Sequence, residues 1–335
     1  MILVTGGAGY IGSHNVLALI EAGYEVVIFD SLEIGHVEFV ETLKNIQAKG
    51  KVVDFIKGDL QNLSQIKSVF EKYKIDAVVH FAAYSQVAES VKNPQKYYYN
   101  NVYGTLNLLN AMLENDVKRI VFSSTAATYG EPVYVPIDEK HPQTPINTYG
   151  KTKLMIESIM DDYDNAYGLK SVRLRYFNVA GADSQSRIGE WHDPETHLIP
   201  NILKSTFGQG RVFQMFGDDY DTKDGTCVRD YINVEDLALA HVLALKYLEN
   251  GGETNYFNLG TQNGNSVKEV FSCCEKVTGQ NIPVEICPRR QGDPAVLIAD
   301  NNKAQDVLNW MPQKSLEESV CSSYNWESKL EKIIN

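Results

Sequence analysis

The stretch Val4 to His14, VTGGAGYIGSH, constrains the fold more than any other part of the chain. It follows a short apolar run, MILVT, and opens a segment of helical pattern, so Gly6, Gly7, Gly9 and Gly12 fall in a strand-to-helix turn. Glycines suit such a turn because they permit its tight backbone and let main-chain N–H groups approach a pyrophosphate at a helix N-terminus. The plainer reading is a turn that only packs helix on strand. Against it stands Asp30, which closes VVIFD 18 residues beyond Gly12. A carboxylate at that strand end bonds the ribose hydroxyls of a dinucleotide and repels a 2′-phosphate, so NAD is expected rather than NADP.

The first half of the chain repeats the strand-then-helix pattern. Short, nearly continuous apolar runs at 1–5, 24–30, 53–59, 76–83, 119–125 and 171–178 read as strands covered on both faces. Helical stretches lie between them, near 11–22, 62–73, 95–115 and 148–166. The expected fold class is α/β, a doubly wound parallel sheet of Rossmann type over residues 1–180. Beyond 180 the texture turns to Gly, Asp, Pro and Thr, which implies a second, smaller mixed α/β domain over 181–335. The segment 231–248 reads as a strand and helix that pack back on the first domain.

Composition excludes several function classes. Hydrophobic residues make up 43% of 335, enough for a large core. Acidic residues outnumber basic ones 43 to 31, for a formal charge of −12, and no basic run occurs. Nucleic-acid and anionic-membrane surfaces are therefore not expected. The N-terminus carries no signal-peptide pattern and no apolar run reaches about 18 residues. Five cysteines without C-x-x-C spacing read as free thiols in a reducing cytoplasm. No metal is expected: His192 and His197, five apart in a loop-like segment, read as surface or ligand-contact residues rather than zinc ligands.

The chemistry is carried by TYGKTKL, which places Tyr149 four residues before Lys153 on one helix face. Taken alone, the pair is an exposed helix face. Thr125 ends the fifth strand 24 residues earlier, and the intervening loop is long enough to swing the helix over the strand edge. A tyrosine with a pKa near ~10 serves as a base at neutral pH only if about 4 kcal/mol favours its phenolate. A lysine ammonium and a cationic nicotinamide supply that preference, and the threonine holds the substrate oxygen. Asp59 and the HFAA stretch (80–83) also end strands, where open α/β sheets bind ligands. For Asp59, a helix cap is an equal alternative.

With TGGAGYIGSH, HFAAYSQVAESV, NNVYGTLNLL, FSSTAATYGEP, TYGKTKL, LRYFNVAGA, DGTCVRDYINVEDLA, FNLGT and PRRQGDPA in view, the chain resembles the extended short-chain dehydrogenase/reductase family over essentially its full length. The resemblance implies Thr125, Tyr149 and Lys153 as the catalytic set. It implies cofactor contacts at Gly6, Gly9, Tyr10, Ile11, Gly12, Asp30, Ser31, Asp59, Leu60, Phe81, Ala82, Ala83, Ser85, Asn100 and Phe177, besides Tyr149 and Lys153. For a UDP-sugar it implies Asn178, His197, Leu198, Phe216, Arg229, Arg290, Asp293 and Leu297, besides Thr125. The implied activity interconverts UDP-glucose and UDP-galactose through C4, by a homodimer joined along the helices near 95–115 and 148–166.

Each of these substrate residues has a plainer reading. Arg229 can pair with Asp230, Asn178 can form a turn, and Phe216 can fill core. Two departures matter. Ser85 stands where some family members carry a lysine near the nicotinamide ribose. Leu297 stands where an aromatic residue borders the sugar 2-substituent in enzymes restricted to simple hexoses, which implies room for N-acetylated UDP-sugars. A 4,6-dehydratase is the nearest rival, but such enzymes carry Asp-Glu directly after the threonine, and here Ala126 and Ala127 follow. A non-catalytic NAD sensor is the other rival, and such proteins usually lack the tyrosine and lysine.

Overall fold

The protein is described by a computed structural model over residues 1–207, 211–290 and 293–334. Gln291 and Gly292 of the PRRQGDPA stretch lie outside the described residues. The first half runs β1 (Ile2–Thr5), α1 (Tyr10–Glu21), β2 (Glu25–Asp30), α2 (Val37–Asn45), β3 (Lys51–Lys57), α3 (Leu63–Lys72) and β4 (Ala77–His80). It continues through α4 (Val87–Lys92), α5 (Pro94–Tyr97), a π-helical turn at Tyr98–Tyr103, α6 (Gly104–Glu114), β5 (Arg119–Ser123), a 3-10 turn at Ala126–Thr128, α7 (Thr148–Tyr167) and β6 (Lys170–Tyr176). The six expected strands are all present, each within a few residues of its expected bounds. Helices α2 and α4 were not anticipated.

The second half runs β7 (Asn178–Ala180), α8 (Leu198–Lys204), β8 (Phe213–Phe216), β9 (Val228–Asn233), α9 (Val234–Glu249), β10 (Asn255–Leu259) and β11 (Gly264–Ser266). It ends with α10 (Val267–Thr278), β12 (Val284–Cys287), β13 (Val296–Leu297), α11 (Asn302–Leu308) and α12 (Leu316–Ile334). The large sheet has the order β10-β6-β5-β4-β1-β2-β3, and every pairing in it is parallel. Strand order reverses direction between β1 and β4, the switch point at which such sheets open a ligand crevice. Two smaller sheets follow, one of β11-β9-β13 with β7 against β9, the other of β12 and β8.

The strands bury both faces because helices cover both. One core holds Val4, Val26, Ile28 and Val79 against Leu17 and Ile20 of α1 and Leu237 and Leu245 of α9. The other holds Leu3, Val27, Val78 and Ile120 against Ile66 of α3, Leu108 of α6 and Ile156 of α7. Alternation along each strand sends successive side chains to opposite cores, as the period of two requires. Helix α9 lies on α1, where Asn15 Nδ2 donates to the Ala238 carbonyl at 3.4 Å. Strand β10 then joins the sheet edge beside β6. Residues beyond 180 are thus shared between the large sheet and the smaller lobe.

The stretch expected as one helix over 95–115 is broken at its start. Asn101 is fully buried and accepts from Tyr84 N at 2.9 Å through Oδ1, while its Nδ2 donates to Tyr84 O at 3.0 Å and Thr152 Oγ1 at 3.1 Å. These contacts hold the backbone in a π turn, which points neighbouring Asn100 into the cleft.

Helix α7 is fixed at its first turn by Asn147, whose side chain accepts from Gly150 N at 2.8 Å. Further along, Glu157 and Arg175 form an ion pair with both side chains 3% exposed. The guanidinium Nε donates to Glu157 Oε1 at 3.0 Å and Nη2 to Oε2 at 2.5 Å, while Ser124 Oγ donates to Oε1 at 2.5 Å. Removing one partner strands the other charge in the core. Arg175→Met is expected to cost about 3 to 5 kcal/mol in urea unfolding, and the double variant Glu157→Leu/Arg175→Met to recover most of that loss.

Candidate active site

Two glycines set the cleft floor. Gly6 has φ +72°, and a Cβ there would meet Ala82 N at 2.5 Å; a Cβ on Gly12 would meet the Gly6 carbonyl oxygen at 2.0 Å. The turn between them leads to α1, whose N-cap Gly9 has no side chain to cap the first turn. The leading N–H groups of the helix therefore face the cleft unpaired, with the positive end of the helix dipole behind them. Asp30 waits across this turn, 7% exposed, taking Ala8 N at 3.0 Å on Oδ2 and Leu32 N at 2.9 Å on Oδ1. Burial raises its pKa, and the two N–H donors hold the carboxylate against that pull.

A single cleft of about 980 Å³ runs from this turn across the sheet edge to the second lobe. Every residue that the family resemblance assigns to the site lines it, from Gly6 and Asp30 through Thr125, Tyr149 and Lys153 to Arg229, Arg290 and Leu297, whereas Gly7 of the glycine turn and His80 of the HFAA stretch do not. Ser85 is exposed at its rim. Asp59 does not cap the helix after it: Asn62 does that, accepting from Ser64 N at 3.2 Å, while Asp59 accepts from Gln61 N at 2.8 Å in the turn before. Tyr10 contributes less through its phenol than through its place in the first turn, since that hydroxyl donates to the Gly181 carbonyl at 2.5 Å.

Tyr149 and Lys153 lie on the same stripe of α7, both buried, with the Lys153 ammonium 5.9 Å from the Tyr149 ring centre. Lys153 Nζ donates to the Ser123 carbonyl at 2.6 Å and sits 4.6 Å over the Phe122 ring. Burial lowers the lysine to about 7, although Glu157 one turn on pulls it back upward. Burial likewise pushes Tyr149 up to about 12, against a smaller lowering effect of Thr125. His80, beside them, is driven down to about 3 by burial and by Lys153, and so stays neutral between Thr5 Oγ1 at 2.6 Å and Thr105 Oγ1 at 2.9 Å. The protein alone therefore does not make the phenolate; it sets a neutral phenol and a half-charged lysine beside an open space that a cationic ring would fill.

At the other end, the alternatives left open by sequence resolve geometrically. Asp230 does not pair with Arg229; it accepts from Thr261 N, Thr261 Oγ1, Gln262 N and Ala299 N at 2.7, 2.7, 3.1 and 3.2 Å. Arg229 instead reaches Asp293, at 3.7 Å. The Arg290 guanidinium lies 4.2 Å over the Phe216 ring, so that ring faces the cleft rather than filling core. Asn178 is no turn former but the first residue of β7, paired with Tyr231 and exposed to the cleft. Lys204 and Arg211 also line the wall, unsignalled by any motif, as do Glu190 and His192 beside His197. The two carboxylates of Glu190 and Glu195 outweigh burial and hold His192 up at about 9. All five cysteines are unpaired, and among the described residues no helix is long and apolar enough to cross a membrane.

A parallel sheet in this order, with its switch-point crevice carrying a threonine, a tyrosine and a lysine above the glycine turn, defines a dinucleotide-dependent enzyme of the extended short-chain dehydrogenase/reductase class. The sequence model of the family described as GDP-mannose 4,6 dehydratase matches residues 3–322. A UDP-glucose 4-epimerase from Halalkalibacterium halodurans is 53% identical, with 98% of this chain and 96% of that protein covered. The crystal structure of a UDP-glucose 4-epimerase from Bifidobacterium longum in complex with NAD+ and UDP is similar at a TM-score of 0.90 and 39% identity, covering 98% of both chains. A UDP-Glc/GlcNAc 4-epimerase from Campylobacter jejuni gives a TM-score of 0.84 at 43% identity, covering 98% of this chain and 99% of the other. The chain belongs to the UDP-glucose 4-epimerase family.

The buried lysine has a consequence for stability. Its folded pKa is near 7, whereas the unfolded chain holds the proton to about 10.5, so between those values the unfolded state binds more protons and stability rises with pH. In NAD-free protein this contribution is expected to reach about 3 kcal/mol between pH 7 and about 9.5, and to vanish in Lys153→Met. Urea midpoints of both proteins across that range check it.

Proposed function

We propose that this protein interconverts UDP-glucose and UDP-galactose as an NAD-dependent 4-epimerase. What carries the reading is the convergence, on one cleft, of a cofactor cradle, a Thr–Tyr–Lys set and two cleft-facing arginines, in a chain half identical to 4-epimerases along its length. The cradle suits NAD on its own chemistry: the unpaired N–H groups opening α1 are placed to donate to the diphosphate, and Asp30 to accept from the adenosine ribose hydroxyls and exclude a 2′-phosphate. Ser31, Asp59, Leu60, Phe81, Ala82, Ala83, Ser85, Asn100 and Phe177 complete its walls. NAD, when bound, supplies the acceptor and later the donor of a hydride at sugar C4.

In this reading Tyr149 removes the proton from the C4 hydroxyl and later returns one, with Thr125 holding the sugar oxygen by a hydrogen bond. Lys153 orients the cofactor ribose and, once charged, stabilises the phenolate. Arg229 and Arg290 grip the diphosphate, Phe216 stacks on the uracil, and Asn178, Leu198 and Asp293, with the main chain at His197, complete the nucleotide site. Elimination across C5 and C6 has no acid–base pair here, because Ala126 and Ala127 form the 3-10 turn where dehydratases carry carboxylates. A non-catalytic sensor would have no use for a buried tyrosine and lysine, which cost burial energy.

Exposed Tyr99 and Tyr103, on the π turn before α6, and Met155 on α7 support a homodimer joined along these helices. The unpaired thiols support a cytoplasmic setting.

Two experiments test the function. Purified protein given UDP-galactose without added cofactor is expected to produce UDP-glucose in NMR spectra, and Tyr149→Phe to lower kcat by about 10³-fold or more while NAD stays bound. An unchanged rate in Tyr149→Phe refutes the base assignment; a 4-keto-6-deoxy product would favour dehydration. Leu297 leaves room beside the sugar 2-substituent, so turnover of UDP-N-acetylglucosamine is expected, and Leu297→Tyr is expected to abolish that turnover while leaving UDP-galactose turnover within about threefold.

A further inference from the structure

The segment leading into α8 carries Glu190, His192, Glu195 and His197, and one ligand atom from each lies within 4.8 Å of all the others. The side chains of Glu190 and Glu195 are 5% and 4% exposed. Three of the converging atoms, Glu190 Oε1, His192 Nδ1 and Glu195 Oε2, are sealed from solvent without a well-formed hydrogen bond; what they meet are the ion-pair contacts inside the cluster and Lys204 Nζ, 3.9 Å from Glu195 Oε2. Three such atoms aimed at one point describe a site.

The cluster is also held rigidly. Glu195 Oε1 accepts from Thr196 N at 2.7 Å and His197 N at 2.8 Å, which fixes the carboxylate and turns Oε2 inward. Trp326 Nε1 donates to Glu190 O at 2.7 Å, His36 Nε2 meets Trp191 O at 2.9 Å, and Asn201 Nδ2 donates to Glu195 O at 3.3 Å. Both imidazoles present Nδ1 to the centre.

We propose that Glu190, His192, Glu195 and His197 ligate a divalent first-row transition-metal ion of the zinc class. Two imidazole nitrogens with two carboxylate oxygens form a neutralising donor set for such an ion, whereas calcium and magnesium prefer oxygen alone. A tetrahedron with bonds of about 2.05 Å has edges of about 3.3 Å. His192 Nδ1 stands 3.3 Å from Glu190 Oε1 and 3.7 Å from Glu195 Oε2, close to that figure. His197 Nδ1 stands 2.7 Å from Glu190 Oε1 and 2.9 Å from Glu195 Oε1, so it must open by some tenths and exchange the second contact for the ion, which its half-exposed side chain allows. Four protein ligands leave no open position, so the ion is structural. It ties the wall that carries Leu198 to the first turn of α1, where the Tyr10 ring packs edge-on against His192 at 6.3 Å between centroids.

The rival state holds the same four groups together by protons alone, as imidazolium–carboxylate pairs. Chelator-stripped wild-type protein titrated with Co2+ separates the two. The expected result is one equivalent bound per chain, with the intense visible absorption of a four-coordinate ion, displaced by one equivalent of Zn2+. His192→Gln, checked for an unchanged far-UV spectrum, is expected to weaken Co2+ binding by more than about 100-fold, beyond the effect of losing an outer-shell contact. Absence of saturable one-equivalent binding in the wild type overturns the proposal whatever the variant does. So does undiminished affinity in a folded His192→Gln protein, or loss of binding on replacing the exposed thiol in Cys321→Ser.

Discussion

The buried pair of Glu157 and Arg175 is the contact on which the geometry of the site rests. Tyr149, Lys153 and Glu157 stand four residues apart on α7, so they form one stripe turned toward the sheet. Glu157 is the member of that stripe bonded to the strands by an ion pair: Arg175 on β6 and Ser124 just past β5 both reach it, while Lys153 adds one hydrogen bond to the Ser123 carbonyl at the end of β5. Taking two charges out of water is costly, and direct attraction alone does not always offset the cost. Here the guanidinium also donates to Tyr129 OH at 3.0 Å and Gln143 Oε1 at 3.2 Å, and Tyr129 in turn donates to Asn258 Oδ1 at 2.6 Å. The network ties α7, β6, the loop after β5 and β10 into one rotational setting. That setting decides where the phenol and the ammonium of the preceding two turns point.

Rigidity of position contrasts with an unfinished electrostatic state. Burial drives the lysine toward neutrality and the tyrosine away from ionisation, so neither group is ready for proton transfer in the protein alone. An anionic diphosphate and a cationic nicotinamide, placed as the cradle suggests, push both groups the useful way. The base would then exist only when the oxidant is present, which protects the sugar from unproductive chemistry in a cofactor-free molecule.

How much of this was legible in the sequence depended on the range of the interactions involved. Strands β1 to β6, the glycine turn, Asp30 and the Tyr149–Lys153 pair are written locally, in period, turn chemistry and spacing. The π turn at 98–103 was not, because Asn101 finds its partners on Tyr84 and Thr152, from distant parts of the chain. Strand β10 was missed for a similar reason: NYFNL is half polar, and only its place beside β6 makes it a sheet edge. The ambiguity over Arg229 came from adjacency. Asp230 points to the other side of β9, as alternation along a strand demands, and spends itself on backbone donors instead. The Glu190–His197 cluster was hidden most completely, since its spacing has no helical or strand period and only the loop's path brings the four groups together.

The same cleft must hold one part of its ligand firmly and another loosely. On the proposed reading, inversion at C4 requires the oxidised hexose to turn over while the nucleotide stays put, so binding energy has to be concentrated away from the sugar. The residues divide in that way. Arg229 and Arg290, the latter stacked on Phe216, offer charge and aromatic surface for a nucleoside diphosphate. The wall near the tyrosine offers Ala126, Phe177 and Leu297, side chains without hydrogen-bonding groups, and so little to fix a sugar in one pose. On that reading a hexose meeting apolar walls and only the Thr125 and Tyr149 hydroxyls has several orientations of similar energy, and that near-degeneracy would let hydride return to the opposite face.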